Sequence, residues 1–67
     1  MIEIVVNGSS QRHRAPLAVA ELLRTMALEG KKIAVERNGE IVPRGAHGST
    51  QLADGDRLEI VVAVGGG

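Results

Sequence analysis

Aliphatic residues occupy every second position near both ends of the chain, in segments 2–6 and 58–62. An alternation with period two is typical of a β-strand that buries one face. These two segments are also the most apolar in the chain. We therefore expect them to lie side by side in the middle of a sheet, with Ile4 and Ile60 on the buried face.

Two Asn-Gly pairs predict tight hairpins, because both residue types tolerate a positive φ. The first pair, Asn7-Gly8, leads into a polar segment over 9–14, whose basic residues suit an edge strand. The second, Asn38-Gly39, joins a third strand over 33–37 to a short fourth strand at 41–42. Residues 44–51 predict a polar loop with room for one short turn. Asp54-Gly55-Asp56 predicts a tight turn, and we expect its carboxylates to be solvated.

One helix is predicted between the second and third strands. Apolar residues over 18–28 recur at the spacing of a single helix face, at Val19, Leu22, Leu23 and Met26. Gly30 is suited to the residue that ends the helix, and the predicted length is about three turns. Its start lacks the Ser, Thr, Asp or Asn that commonly caps helices. The element order is that of an α+β chain with the β-grasp (ubiquitin-like) fold, a mixed sheet of four to five strands with one main helix.

Length and composition exclude several classes of function. The chain has 67 residues, a formal net charge of +0, no aromatic residue and no cysteine. Neutral charge and the absence of stacking side chains argue against a nucleic-acid or anionic-membrane partner. Disulfides and thiolate metal sites need cysteine, and no His lies at metal-ligand spacing from a carboxylate. We expect a cytoplasmic protein that is monomeric when free, with no bound metal or cofactor.

The three terminal glycines are the feature that indicates chemistry. We expect a β-grasp domain over 1–64 and a flexible tail over 65–67. Gly65 and Gly66 provide no side chains for packing, and they make a thread narrow enough to enter another protein's active site. Gly67 carries the α-carboxylate, which is ionised at neutral pH. The chain has no phosphate-binding glycine loop and no evident acid–base pair, so we predict a substrate or carrier rather than an enzyme.

The sequence resembles the thiamine-biosynthesis sulfur carrier family along its whole length. The resemblance is carried by segments 2–8, 19–23, 34–44 and 52–56 and by the glycine tail, and 34–44 (AVERNGEIVPR) is its most specific part. It implies that a ThiF-like adenylyltransferase, which supplies the ATP and Mg²⁺ site, adenylates the carboxylate of Gly67. A sulfur donor then yields a thiocarboxylate, and a ThiG-like thiazole synthase receives the sulfur. Gly65 and Gly66 would thread the partner's active site.

A docking surface is also predicted. If Ile4 and Ile60 face the helix, then Val5, Val61 and Ala63 face away from it and provide a small apolar surface for partners. Scattered exposed apolar residues need no function, so this is one of two interpretations. Two other functions stay open: the small subunit of molybdopterin synthase, and a protein modifier or plain interaction domain.

Overall fold

The two aliphatic segments form neighbouring parallel strands at the centre of a five-stranded sheet. A computed structural model describes residues 1–63. The strands, in chain order, are β1 (Ile2–Val6), β2 (Ser9–His13), β3 (Ile33–Arg37), β4 (Glu40–Val42) and β5 (Arg57–Val62). Their spatial order is β2-β1-β5-β3-β4. The prediction that the first and last strands lie side by side is confirmed, as is the β-grasp fold. The predicted boundary at residue 64 and the tail over 65–67 lie outside the described residues.

The strand register follows from the two Asn-Gly hairpins. Asn7 and Gly8 have φ of 49° and 84°, and Asn38 and Gly39 have φ of 52° and 86°, as turns of this kind require. The hairpins make β1–β2 and β3–β4 antiparallel, and β3 is also antiparallel to β5. Among the strand pairs of residues 1–63, only β1–β5 is parallel. The two hairpins therefore flank β5, which is covered on both sides.

The core lies between one sheet face and the helix α1 (Val19–Thr25). Alternate residues of the central strands point towards α1, and Leu17 and Leu52 close the core from the loops. The buried apolar side chains are Ile4, Val6, Leu17, Val19, Leu22, Leu23, Val35, Val42, Leu52, Leu58 and Ile60. Within residues 1–63, no helix has the length and apolar character needed to cross a membrane.

The helix is shorter than predicted, and Gly30 does not end it. Its last residue is Thr25 and its C-cap is Met26, because Ala27 adopts a left-handed backbone with φ of 60°. Two hydrogen bonds close this end: Ala27 N–H donates to the Arg24 carbonyl (3.0 Å), and Leu28 N–H donates to the Leu23 carbonyl (2.9 Å). This is the Schellman pattern, in which glycine is the usual left-handed residue. The sequence signal was therefore misleading, since an alanine holds that position.

The start of α1 is satisfied by tertiary contacts rather than by a capping side chain at Ala18. Val19 N–H donates to the Thr50 carbonyl and Ala20 N–H to the His47 carbonyl, both at 2.9 Å. The Glu21 carboxylate accepts from Ala18 N–H at 3.0 Å. The loop over 44–51, which contains a short 3₁₀ turn at Arg44–Ala46, thus supplies the acceptors that free helical N–H groups need.

Asp56 is buried, which contradicts the expectation of a solvated turn carboxylate. It is 6% exposed and accepts hydrogen bonds from Ala53 N–H (2.8 Å), Arg37 Nε (2.9 Å) and Asn38 Nδ2 (3.0 Å). Burial alone would raise the pKa of Asp56, but these hydrogen bonds and the Arg37 charge together lower it. Asp56 therefore fastens the β3–β4 turn to the start of β5.

Candidate functional site

The last described residues of the chain are held by β3. We call Val62 and Ala63 the tail root, because the glycine segment follows them. Val62 pairs with Ile33 in the antiparallel register, and Ala63 N–H donates to the Lys32 carbonyl at 2.9 Å. The predicted site residues Gly65, Gly66 and Gly67 lie outside the described residues. The fold therefore determines the position and direction of the backbone up to Ala63.

Asn7 supports β5 where β1 has ended. Its Oδ1 accepts from Ile60 N–H at 2.7 Å, and its Nδ2 donates to the Ile60 carbonyl at 3.1 Å. The side-chain amide thus replaces the backbone groups that a longer β1 would offer to Ile60. The sequence predicted Asn7 as a turn residue. The Asn-Gly pair did not predict the hydrogen bonds of its side chain to Ile60. Asn7 links the first hairpin to the strand that leads into the tail root.

After Ile60, the next residue of β5 whose backbone N–H and carbonyl point towards β1 is Val62. Its partner Ile33 forms a non-hydrogen-bonded pair, because the flanking pair of Lys32 and Ala63 is the hydrogen-bonded one. The Val62 N–H and carbonyl therefore point towards the side where β1 has stopped. Among residues 1–63 no backbone partner meets them there. Within the described part of the chain, the tail root thus has a backbone partner along one edge and none along the other.

The three predicted docking residues occupy two places on the sheet. Val61 is 62% exposed and lies beside Ala34 of β3 on the face opposite α1. Ala63 follows at the tail root and is also exposed. Val5 is half-buried and pairs with Arg57, which is about 13 Å along β5 from Val61 at about 3.3 Å per residue. The structure therefore brings Val61 and Ala63 together and leaves Val5 apart from them.

The described residues contain no group of three or more His, Cys, Asp or Glu side chains placed to hold a metal ion. The two histidines are far apart in the chain and have local partners. His13 Nε2 lies 2.8 Å from Gln11 Oε1, and His47 Nε2 lies 3.2 Å from the Val42 carbonyl oxygen. Within residues 1–63, the sheet holds the backbone in place up to Ala63, the residue that precedes the terminal segment.

Comparison with known proteins agrees with this geometry. The model of the ThiS family matches residues 2–67. A solved structure of a thiamine biosynthesis protein (ThiS) from Geobacter metallireducens superimposes with a TM-score of 0.81 at 33% identity, covering 98% of this chain and 100% of that one. A solution structure of a Geobacter metallireducens thiamine biosynthesis protein gives a TM-score of 0.79 at 36% identity, over 98% and 88% of the two chains.

Curated relatives fall into short and long proteins. The sulfur carrier protein ThiS of Bacillus subtilis is 43% identical over 49 residues, which are 73% of this chain and 74% of that protein. A thiazole synthase of Paramagnetospirillum magneticum is 41% identical over 98% of this chain. The chain spans only 20% of the length of that protein, and likewise 20% of a thiazole synthase of Magnetococcus marinus. The match of the family model over nearly every residue shows that the chain belongs to the ThiS family, as its sequence resemblance indicated.

Proposed function

We propose that this chain is a sulfur carrier for thiazole formation in thiamine biosynthesis, with Gly67 as the residue that carries the sulfur. The observation that carries the proposal is the family match, which runs through the glycine segment to Gly67. The name of the Bacillus subtilis relative supports the carrier role. The two relatives named thiazole synthase support that enzyme as the recipient, since each contains a segment similar to this whole chain.

The chemistry proceeds in two displacements, the first at the α-phosphorus of ATP and the second at the carbonyl carbon of Gly67. A carboxylate oxygen of Gly67 attacks the α-phosphorus of ATP on the adenylyltransferase, and pyrophosphate leaves. A sulfide-level sulfur nucleophile then adds to the carbonyl carbon of the acyl-adenylate, and AMP leaves with the C–O bond electrons. The product is a thiocarboxylate, whose sulfur thiazole synthase takes up. ATP and Mg²⁺ belong to the adenylyltransferase, so this chain contributes position and access rather than catalysis.

The tail root explains how a 67-residue protein could present this group reproducibly. Pairing of Val62 with Ile33 and the bond from Ala63 to Lys32 set the direction in which the backbone leaves the sheet. Four residues after Ala63 span at most about 14 Å when extended. Gly65 and Gly66 would then thread a channel too narrow for a Cβ branch, and Gly67 would reach the reacting atoms.

Intact-mass spectrometry tests the proposal directly. The chain is incubated with a ThiF-like adenylyltransferase, ATP, Mg²⁺ and a sulfide source. We expect a gain equal to the mass difference between one sulfur and one oxygen atom. An amide-linked adduct would instead indicate a protein modifier, and an unchanged mass would contradict the carrier function. Sulfur transfer to thiazole synthase, measured as thiazole phosphate formed, separates this function from that of a molybdopterin synthase subunit.

The narrow-thread requirement is tested by Gly66→Val. We expect an intact fold and no thiocarboxylate. The matched control is Gly48→Val, since Gly48 is exposed and an added Cβ there meets no atom within 4 Å. Thiocarboxylate formation by Gly66→Val at the control's rate would disprove the threading argument.

Docking through the sheet face is tested by Val61→Asp. We expect this change to slow adenylation several-fold while the unfolding midpoint stays near the native value, because Val61 is already exposed. Ile41→Asp is the matched control: Ile41 is 63% exposed on the edge strand β4, where a charge is well tolerated. Equal adenylation rates for the two variants would exclude Val61 from the docking surface. The same comparison with Val5→Asp and Ala63→Asp tests the other two residues.

A further inference from the structure

A pocket lies beside the tail root on the helix side of the sheet. Its volume is about 280 Å³. Four apolar lining residues, which are buried or half-buried, are called its floor: Ala20, Leu23, Leu28 and Ile33. Ile33 connects the pocket to the tail root, because it is the register partner of Val62. Pockets for drug-sized ligands span roughly 300–1,000 Å³. This one lies near the lower end of that range, which is sufficient for one or two inserted side chains.

The rim of the pocket is basic although the whole chain is neutral. We call Lys31, Arg44 and His47 the rim, since they line the pocket and Lys31 and Arg44 are exposed. Within residues 1–63, neither Lys31 nor Arg44 forms an ion pair. Glu29 is the one acidic residue among the described lining residues, and its Oε2 lies 3.2 Å from Arg24 Nε. The electrostatic potential at the rim is therefore positive, which favours a partner surface that carries carboxylates. The apolar floor favours an apolar side chain at the centre of that surface.

The pocket is built from segments that the fold holds in place. The His47 carbonyl accepts from Ala20 N–H at 2.9 Å, which joins the loop to the helix. The turn that ends α1 places Leu28 against the core. The residue after Lys31 gives its carbonyl to Ala63. A protein seated on this rim would therefore lie next to the backbone that leads to Gly67.

We propose that this basic-rimmed pocket docks an acidic segment of thiazole synthase, which inserts an aliphatic side chain between Lys31 and Arg44. The inference rests on the proposed function and adds a contact surface to it. We name thiazole synthase as the partner because two relatives of that name contain a segment similar to 98% of this chain, which makes up 20% of each relative's length. The pocket lies on the sheet face opposite Val61. The two enzymes that handle the tail would thus use different faces.

The test measures binding of thiazole synthase to the full chain by surface plasmon resonance at low and high salt. Lys31→Glu and Arg44→Glu each reverse one rim charge. We expect each to lower the association rate about three- to tenfold at low salt. At high salt, where the charges are screened, the association rates of the variants and of the native protein should become equal. The control is Arg14→Glu, which makes the same charge change at an exposed residue beyond β2, at the sheet end away from the tail root. We expect it to bind like the native protein.

The apolar floor is tested by Ala20→Leu, which fills the pocket from a half-buried helix position. We expect faster dissociation, by tenfold or more, with the unfolding midpoint unchanged or raised. Adenylation by the ThiF-like enzyme should be unaffected by all four variants. If the native chain binds thiazole synthase but the rim variants behave like Arg14→Glu, and Ala20→Leu dissociates normally, the inference is wrong. If the native chain neither binds the enzyme nor yields thiazole phosphate with it, the proposed function itself fails.

Discussion

Replacing Asp56 with alanine should remove a large part of the stability of this domain. The carboxylate is 6% exposed and holds three donors: Ala53 N–H, Arg37 Nε and Asn38 Nδ2. Truncation leaves these donors without their acceptor, at the point where the β3–β4 turn meets β5. Because β5 is the central strand of the sheet, loosening its start affects the strands on both sides.

The magnitude follows from the three contacts. A hydrogen bond to a charged group contributes roughly 1.5–3 kcal/mol. The Ala53 and Asn38 bonds count in full, and the Arg37 bond is discounted to well under about 1 kcal/mol because its side chain is 34% exposed and solvent screens it. Relief of the desolvation of Asp56 offsets part of the loss. We expect a net loss of about 2–4 kcal/mol, from a total near 3–10 kcal/mol for a domain of this length.

The assay is urea unfolding followed by far-ultraviolet circular dichroism, since the chain has no Trp or Tyr to serve as a fluorescent probe. The control is Asp54→Ala. Asp54 lies in the same turn, is exposed, and accepts one hydrogen bond, from Glu3 N–H at 2.7 Å. Because water can replace this exposed bond, its loss should cost less than about 1 kcal/mol, unlike loss of the part-buried bonds of Asp56. If Asp56→Ala costs no more than Asp54→Ala, the network does not hold the β3–β4 turn to β5.

Three further predictions concern stability and the tail root. Acidification should weaken the native protein below about pH 4: the folded-state pKa of Asp56 lies below its usual 3.8, so this contribution is complete above that value and is lost as the pH falls through the folded-state pKa. An unfolding free energy that falls equally for Asp56→Asn would contradict this. Ala27→Gly should raise the unfolding free energy by about 0.5–1 kcal/mol, since glycine adopts a φ of 60° without strain; a lowered urea midpoint would refute the reasoning. Asn7→Gly keeps the turn but loses both bonds to Ile60. It should cost about 1–3 kcal/mol and speed amide exchange at Ile60 more than at Val35, a pattern that uniform exchange would disprove.

Sequence reasoning was most successful where short-range chemistry decides the structure. Alternation of aliphatic residues placed β1 and β5, and the two Asn-Gly pairs placed both hairpins to within a residue. It failed at the end of the helix, where Gly30 offered the usual stop signal. Ala27 takes the left-handed position instead, because Leu28 then packs against the core. Partial burial of this leucine outweighed a local preference of about 1 kcal/mol.

For the candidate site, too, the sequence predicted the features set by short segments and missed those set by distant contacts. The glycine segment and the block over 34–44 were sufficient to indicate the family. The contacts around the tail root could not be predicted from the sequence. The amide of Asn7 on Ile60 spans 53 residues, and the pocket beside Ile33 combines the helix end with the loop over 44–51. The predicted docking residues showed the same limit, since alternation assigns Val5 and Val61 to one face but says nothing of the register that separates them.

By itself, therefore, the sequence determined the elements, the hairpin turns, the family and the presence of a side-chain-free segment at the end of the last strand. Each of these depends on residues close together in the chain. Three features were decided only by the tertiary structure. Asp56 is buried and joins the β3–β4 turn to β5, the Asn7 side chain hydrogen-bonds Ile60 of β5, and Lys31 and Arg44 line the same pocket. These features arise from contacts between distant segments, and the parallel register of β1 and β5, set by core packing, determines which of those segments meet.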